Sequence, residues 1–239
     1  MEIEVCDIHS HVVYKVDDGS WNIDMSIKML RSAYKQGVRN VICTSHDTCN
    51  FKDYMENFIN LKKRIELDGI DIKLYCGYEV YADDYIIDDV IDKLNNGELL
   101  TINETRYVLL EFYPDECSDV ILQCIKAIAS SGYTPILAHT ERCSNLSKEY
   151  NYISLMQEYG CLFQINAYSI VNESNKAIKK LARKLLKEKR VSFIGSDAHQ
   201  EHHRPYNMTD GINYIYKNCD VEYAKDICYR NAKKMLNLN

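Results

Sequence analysis

Seven short apolar runs alternate with longer amphipathic ones from one end of the chain to the other, and this alternation constrains the fold more than any other feature. The strand-like runs cover 3–8, 38–44, 70–81, 107–112, 134–138, 161–165 and 191–195. Between them apolar residues recur at helical spacing, as in Ile23, Ile27, Leu30 and Tyr34, or Phe58, Leu61 and Ile65. Further helical stretches are expected over 86–94, 120–129, 152–159 and 177–186, with 209–217 and 221–237 closing the chain. Such alternation implies α/β architecture, a parallel sheet with right-handed crossovers. A TIM-like (β/α) barrel is the simplest arrangement, and an open doubly wound sheet satisfies the same alternation. No Pro/Gly/Ser-rich linker interrupts the pattern, so 1–239 reads as a single domain, of a length one barrel can span.

Polar residues gather where these runs end. The first runs into His9-Ser10-His11, the second into Thr44-Ser45-His46, the third into Gly77-Tyr78-Glu79 and the fourth into Glu111-Phe112. The fifth ends in Ala138-His139, the sixth in Gln164-Ile165-Asn166 and the seventh in Ser196-Asp197-Ala198-His199. In a parallel barrel the carboxyl ends of all strands open onto one face, where active sites lie. Taken singly, each of these residues is as readily a satisfied core or surface group. Packing does not require them to fall at successive strand ends, and together they indicate a metal site. His9 and His11, two apart on a strand, point to one side, and Asp197 and His199 repeat that spacing. Imidazole with carboxylate suits Zn, Mn or Fe, whereas Mg and Ca prefer oxygen alone. The candidates outnumber the needs of one or two ions, so a multinuclear site is expected. Arg142 and Arg204 follow closely on His139 and His199, and a guanidinium fork matches phosphate oxygens. Divalent ions with two such forks suit phosphoryl transfer.

Composition removes other classes. The formal net charge of -6 disfavours a nucleic-acid partner. No run approaches the ~18 apolar residues of a membrane span. The opening Met1-Glu-Ile-Glu-Val-Cys-Asp-Ile lacks a basic n-region and an apolar h-region, so a cytoplasmic protein is expected. Ten cysteines occur with no C-x-x-C pair, several inside apolar runs, and read as reduced, buried small hydrophobes. None is followed by Arg six positions on, which excludes the C-x5-R phosphate loop of cysteine phosphatases.

The segments Asp7-Ile-His-Ser-His11, Asp17-Asp-Gly19, Thr44-Ser-His46, Gly77-Tyr-Glu79, Ala138-His-Thr-Glu-Arg142, Gln164-Ile-Asn-Ala167 and Ser196-Asp-Ala-His199 with Arg204-Pro205 resemble the polymerase-and-histidinol-phosphatase (PHP) superfamily. Within it they are most similar to the manganese-dependent protein tyrosine phosphatases of bacterial capsule and exopolysaccharide operons. The resemblance runs from about residue 5 to 206 and implies a distorted seven-stranded barrel. It implies three divalent metal ions, manganese first, with iron or zinc as alternatives. One ion would be held by His9, His11, Glu79 and Asp197. A second would share Glu79 and add Glu111 and His139, and a third would take Asp18, His46 and His199, with Asp18 favoured over Asp17 by its spacing from His11. Arg142 and Arg204 would bind phosphate beside Asp197 and His199. The implied reaction is phosphomonoester hydrolysis by a metal-bridging hydroxide. The implied substrate is a phosphotyrosine protein, a bacterial tyrosine kinase of polysaccharide assembly, and a homo-oligomer is compatible with it. A small-molecule phosphatase, such as one acting on histidinol phosphate, would share these motifs. A metal-binding regulatory protein is the non-enzyme alternative, disfavoured because every candidate ligand and both arginines are retained. Two positions depart from the family pattern: Thr140 replaces a usual proline, which should loosen Glu141-Arg142, and Asp47 follows His46.

No thiol is placed as a nucleophile, so Cys→Ser variants should keep turnover within a few fold. Loss of turnover in a folded variant would contradict that.

Overall fold

The computed structural model describes residues 4–238. Ile3, which opens the first expected strand, lies outside the described residues. The strands are β1 (Val5–Ser10), β2 (Val38–His46), β3 (Lys73–Tyr81), β4 (Tyr107–Glu111), β5 (Thr134–Leu137), β6 (Leu162–Asn166) and β7 (Phe193–Gly195). All pair in parallel, in the sequential order β1 to β7. A sequential order excludes the doubly wound sheet, whose strand order reverses at a switch point. β1 then approaches the chain just beyond β7. Asp197 N–H donates to the His9 carbonyl (2.8 Å) and His11 N–H to the Ala198 carbonyl (2.9 Å), bringing the sheet nearly closed.

The crossovers are α1 (Ile23–Lys35), α2 (Phe51–Leu67), α3 (Ile87–Asn95), α4 (Ser118–Ser130), α5 (Ser144–Lys148), α6 (Asn151–Glu158) and α7 (Lys176–Lys187), followed by α8 (Thr209–Asn218), α9 (Val221–Lys225) and α10 (Asn231–Met235). Local chemistry sets several boundaries. Asn22, Asn50, Asn175 and Asp220 cap α1, α2, α7 and α9 by accepting first-turn N–H groups. Gly37 follows α1 at φ 86°, a left-handed conformation that glycine adopts without penalty. The expected helix over 221–237 is interrupted: Asp226–Arg230 forms a π turn between α9 and α10.

Two apolar cores result. The larger fills the space between sheet and helices. The smaller fills the barrel lumen with Cys6, Ile8, Ile42, Leu109, Ile136 and Phe193, and α10 packs on it through Ala232 and Met235. Lumen-facing positions recur with the strand period of two. They run Ile42-Thr44-His46, Tyr75-Gly77-Glu79, Tyr107-Leu109-Glu111, Leu162-Gln164-Asn166 and Phe193-Gly195-Asp197. The polar strand ends are therefore the top layer of the barrel interior, stacked on its apolar layers.

Two strands break that parity. In β1, Cys6 and Ile8 belong to the lumen, yet the next inward pair is His9 and His11, and the register with β2 shifts between Asp7 and Ser10. Irregularities of this kind re-aim side chains beside active sites. In β5, Ile136 and Ala138 face inward and His139 follows at φ 27°.

If α10 seals the lumen, Met235→Ala should lower the stability of the fold by about 2–5 kcal/mol, the usual loss for truncating a buried methionine. Urea unfolding would measure it, and an unchanged midpoint at unchanged slope would contradict the packing described.

Candidate metal centre

All nine candidate metal ligands of the sequence converge at the carboxyl ends of the strands. Their ligand atoms fall into four groups: His11, Asp18, His46 and His199; His9, Glu79 and His139; His9, His11 and Asp197; and His46, Glu79 and Glu111. Glu79, 1% exposed, stands between them. Its Oε1 lies 3.1 Å from His9 Nε2 and 2.9 Å from His139 Nε2, and its Oε2 lies 3.2 Å from His11 Nε2 and 3.4 Å from His46 Nδ1. Glu111 approaches His139 (3.3 Å) and His46 (3.4 Å). Asp18 approaches His199 (3.4 Å) and His46 (3.6 Å).

The electrostatics follow from burial opposed by neighbours. Burial works against a charge on Glu79, but His9, His11 and His139 outweigh it and hold the carboxyl well below its usual range. Burial likewise opposes charge on His11. Hydrogen bonds to Asp17 and Glu79 prevail and raise its pKa to about 10. His139, buried but bonded to Glu111 and Glu79, rises to about 9. His199 goes the other way. Burial and the charge on His11 lower it to about 2, so it is neutral at any working pH. Its Nε2 accepts from Arg204 Nη1 at 2.8 Å.

Both arginines close on Asp197. Arg142 Nη1 lies 2.8 Å from Oδ2 and Arg204 Nη2 lies 2.5 Å from Oδ1. Burial opposes charge on Asp197 as well, but His9 and the two guanidiniums keep it ionised, far below the ordinary carboxylate range. Each guanidinium side chain remains about one-third exposed, so both can meet a ligand from solvent.

The sequence profile of the capsular polysaccharide synthesis CpsB/CapC family matches residues 5–237. The chain is 31% identical over 240 residues to tyrosine-protein phosphatase CpsB of Streptococcus pneumoniae, covering 96% of this chain and 97% of the relative. The chain belongs to the CpsB/CapC family. It is 28% identical over 238 residues to tyrosine-protein phosphatase YwqE of Bacillus subtilis, covering 96% and 91%. A structure from work on YwqE and CpsB, described as unique metal-dependent tyrosine phosphatases, superposes with a TM-score of 0.87 at 26% identity over 97% of this chain and 94% of the other. This membership bears out the PHP resemblance.

Several residues beyond the nine orient the cluster. Asp17, side chain 1% exposed, accepts from His11 Nδ1 at 2.8 Å and from the backbone N–H of Gly19 and His46. Asp17 thus supports His11, while Asp18 faces His46 and His199. Gln164 Oε1 pairs with His9 Nδ1 (3.0 Å) and accepts the His139 N–H (2.7 Å). Asn166 Nδ2 donates to Asp197 Oδ2 at 2.9 Å. Such outer partners fix the tautomer and leave Nε2 of His9 and His11 facing the cluster. Gly195 lies under them: a Cβ there would stand 2.7 Å from both His9 Cβ and Gln164 Nε2. Thr140 does not loosen its segment. It is buried, and its hydroxyl donates to the Leu137 carbonyl at 3.0 Å. All ten cysteines are free thiols; Cys117 is exposed, Cys49, Cys76 and Cys219 are half-buried, and the rest are buried.

Metal binding needs the imidazole lone pairs, so His11 and His139 must give up protons. Loading the metal-free protein at pH 7 should release about two protons, and affinity should rise with pH until about 9 to 10. For the metal-free fold the sign is opposite. These raised imidazole pKa values contribute stability fully below about 6.5, lost as pH rises through 9 to 10. Calorimetric titration in buffers of different ionisation enthalpy reads the protons. A pH-independent affinity between pH 7 and 9 would contradict this.

Proposed function

We propose that residues 1–239 act as one PHP-like domain, a metal-dependent protein-tyrosine phosphatase of the cytoplasm. Its substrate in this reading is a phosphotyrosine protein, specifically a bacterial tyrosine kinase of polysaccharide assembly. The observation that carries it is the pair of part-exposed guanidiniums, Arg142 and Arg204, held on Asp197 at the edge of a buried imidazole–carboxylate cluster. The relatives named as tyrosine phosphatases support the same activity. No helix among the described residues is long and apolar enough to cross a membrane.

The residues fit divalent cations on donor chemistry: five imidazoles share ionised, buried carboxylates that only cations or protons can compensate. Three ions are proposed, manganese foremost. His9, His11, Glu79 and Asp197 would hold one, Glu79, Glu111 and His139 the second, and Asp18, His46 and His199 the third. Bound divalent ions supply a nucleophile from water at neutral pH and neutralise charge on phosphoryl oxygens. The chain's own groups do the rest. Arg142 and Arg204 bind the equatorial phosphoryl oxygens, where charge concentrates during in-line displacement. Asp197 sets the angle of both forks. Asp17 and Gln164 keep His11 and His9 turned inward, and His199, kept neutral, adds no positive charge beside the ions.

Reconstituted protein should contain more than one transition-metal equivalent and hydrolyse phosphotyrosine peptide in preference to phosphoserine peptide and histidinol phosphate. Arg142→Ala and Arg204→Ala should each remove charge-assisted hydrogen bonds worth about 1.5–3 kcal/mol, roughly 10- to 150-fold in kcat/KM, with metal retained. His139→Ala should lower metal content. Full activity in Arg204→Ala, or metal loss equal to that of His139→Ala, would overturn this division of roles.

A further inference from the structure

Beside the two arginines lies a cavity of about 440 Å³, far larger than a phosphoryl group needs. Arg142, Asp197 and Arg204 form one wall, and the segments after β6 and β7 form the others. The lining combines two chemistries. Tyr168, 43% exposed, with Ile178 and Pro205 presents apolar surface. Asn172, Asn175 and Asn207 present side-chain amides.

The amide partners are unequal. Asn172 Oδ1 accepts from Ser174 N–H (2.9 Å) and Asn175 Oδ1 caps α7 by accepting from Ile178 N–H (3.1 Å). Their oxygens are used inside the protein, and their NH2 groups have no partner among the described residues. The Asn207 side chain has none either. Asn166 differs, because both ends of its amide are engaged, on Gln164 and Asp197. The wall is therefore rich in donors. Its lone lining carboxylate, Asp197, already pairs with both arginines.

A donor-rich wall suits a ligand rich in acceptors, and the apolar surface beside the arginines suits a phosphate carried on a ring. A phosphotyrosine within a polypeptide has both, whereas a phosphoserine lacks the ring and a small phosphomonoester lacks the row of carbonyls. We propose that this cavity is the subsite for the substrate polypeptide: Tyr168, Ile178 and Pro205 cover the aryl ring, and the amide NH2 groups of Asn172, Asn175 and Asn207 donate to main-chain carbonyls flanking it. The inference rests on the phosphatase reading above and adds that recognition is of backbone rather than of flanking side chains. Asn175 holds the helix cap, so Asn172 and Asn207 are the residues to vary.

The test measures kcat/KM on manganese-loaded full-length protein with a phosphotyrosine peptide, a phosphoserine peptide and p-nitrophenyl phosphate. In Asn172→Ala and in Asn207→Ala, the ratio of peptide to p-nitrophenyl phosphate kcat/KM should fall about 3- to 10-fold, the range of one neutral hydrogen bond, chiefly through KM. Tyr168→Ala should narrow the preference for phosphotyrosine over phosphoserine peptide. Permuting the residues that flank the phosphotyrosine should change wild-type kcat/KM little. If both asparagine variants keep the wild-type ratio while the protein remains an active aryl phosphatase, the subsite is wrong and the phosphatase reading stands. A wild-type protein that hydrolyses neither phosphotyrosine peptide nor aryl phosphate would overturn both.

Discussion

The site depends on how β1 meets the chain beyond β7. There the sheet is brought nearly closed not by a long ladder but by a short clasp. Asp197 and His11 donate backbone N–H groups across it, Ser196 N–H reaches Asp7 Oδ1 at 2.8 Å, and the Ser196 hydroxyl reaches the His9 carbonyl at 3.2 Å. Asp7 also accepts from His9 N–H at 3.2 Å, so one buried carboxylate holds both sides. Burial raises its pKa to about 6 against these hydrogen bonds. A fully buried acid is a costly means of joining two segments, and its position explains it. The segments joined carry His9, His11, Asp197 and His199, donors separated by nearly the whole chain.

Closure sets the second constraint, which is charge. Once the barrel brings the strand ends together, Glu79 lies among imidazoles at about 3 Å and, like Asp197, away from solvent. Two imidazoles respond by holding protons well above their usual range and one by losing its proton altogether. Strongly perturbed groups gathered in one cleft are characteristic of functional sites. The arginines take part in the same balance. Each is anchored on Asp197 while remaining partly open to solvent, so the group that serves the cluster also aims the guanidiniums. This shared role ties the placement of both guanidiniums to the integrity of the donor cluster.

The positions at which side chains enter the site trace to backbone irregularity. On five strands the inward period of two leads without interruption from an apolar lumen residue to a polar one at the top. On β1 and β5 it does not, and the chain departs from regular pairing or enters positive φ. His139, Asp197 and Arg204 all have positive φ, uncommon for residues with a side chain. Backbone in such conformations persists where surrounding contacts dictate it: the Gln164 amide holds His139, the clasp holds Asp197, and the Arg204 carbonyl accepts the His199 N–H at 2.9 Å.

Much of this was legible in the sequence because it depends on neighbours along the chain. The period of two along each strand and of 3.6 along each helix located the seven strands, and Phe58, Leu61 and Ile65 share the buried face of α2 as their spacing predicts. The residue types at strand ends located eight of the nine candidate donors and the two arginines that follow them, since parallel topology carries every such end to one face; Asp18, in the loop after β1, came only from the resemblance. Spacing favoured Asp18 over Asp17 as the donor but gave Asp17 no role of its own, because what an adjacent carboxylate does depends on what it meets across the fold. Gln164 and Asn166 were visible as a strand end but had no role, because an amide acquires one only from the partner beside it. The parity breaks at His9 and His139, the π turn in the closing helix and the asparagine-lined cavity lay beyond sequence reasoning altogether. Sequence by itself determined which chemistry the strands carry and on which face it gathers, through local periodicity. Tertiary structure alone decided which donor faces which, because ångström distances between residues far apart in the chain are set by packing and closure.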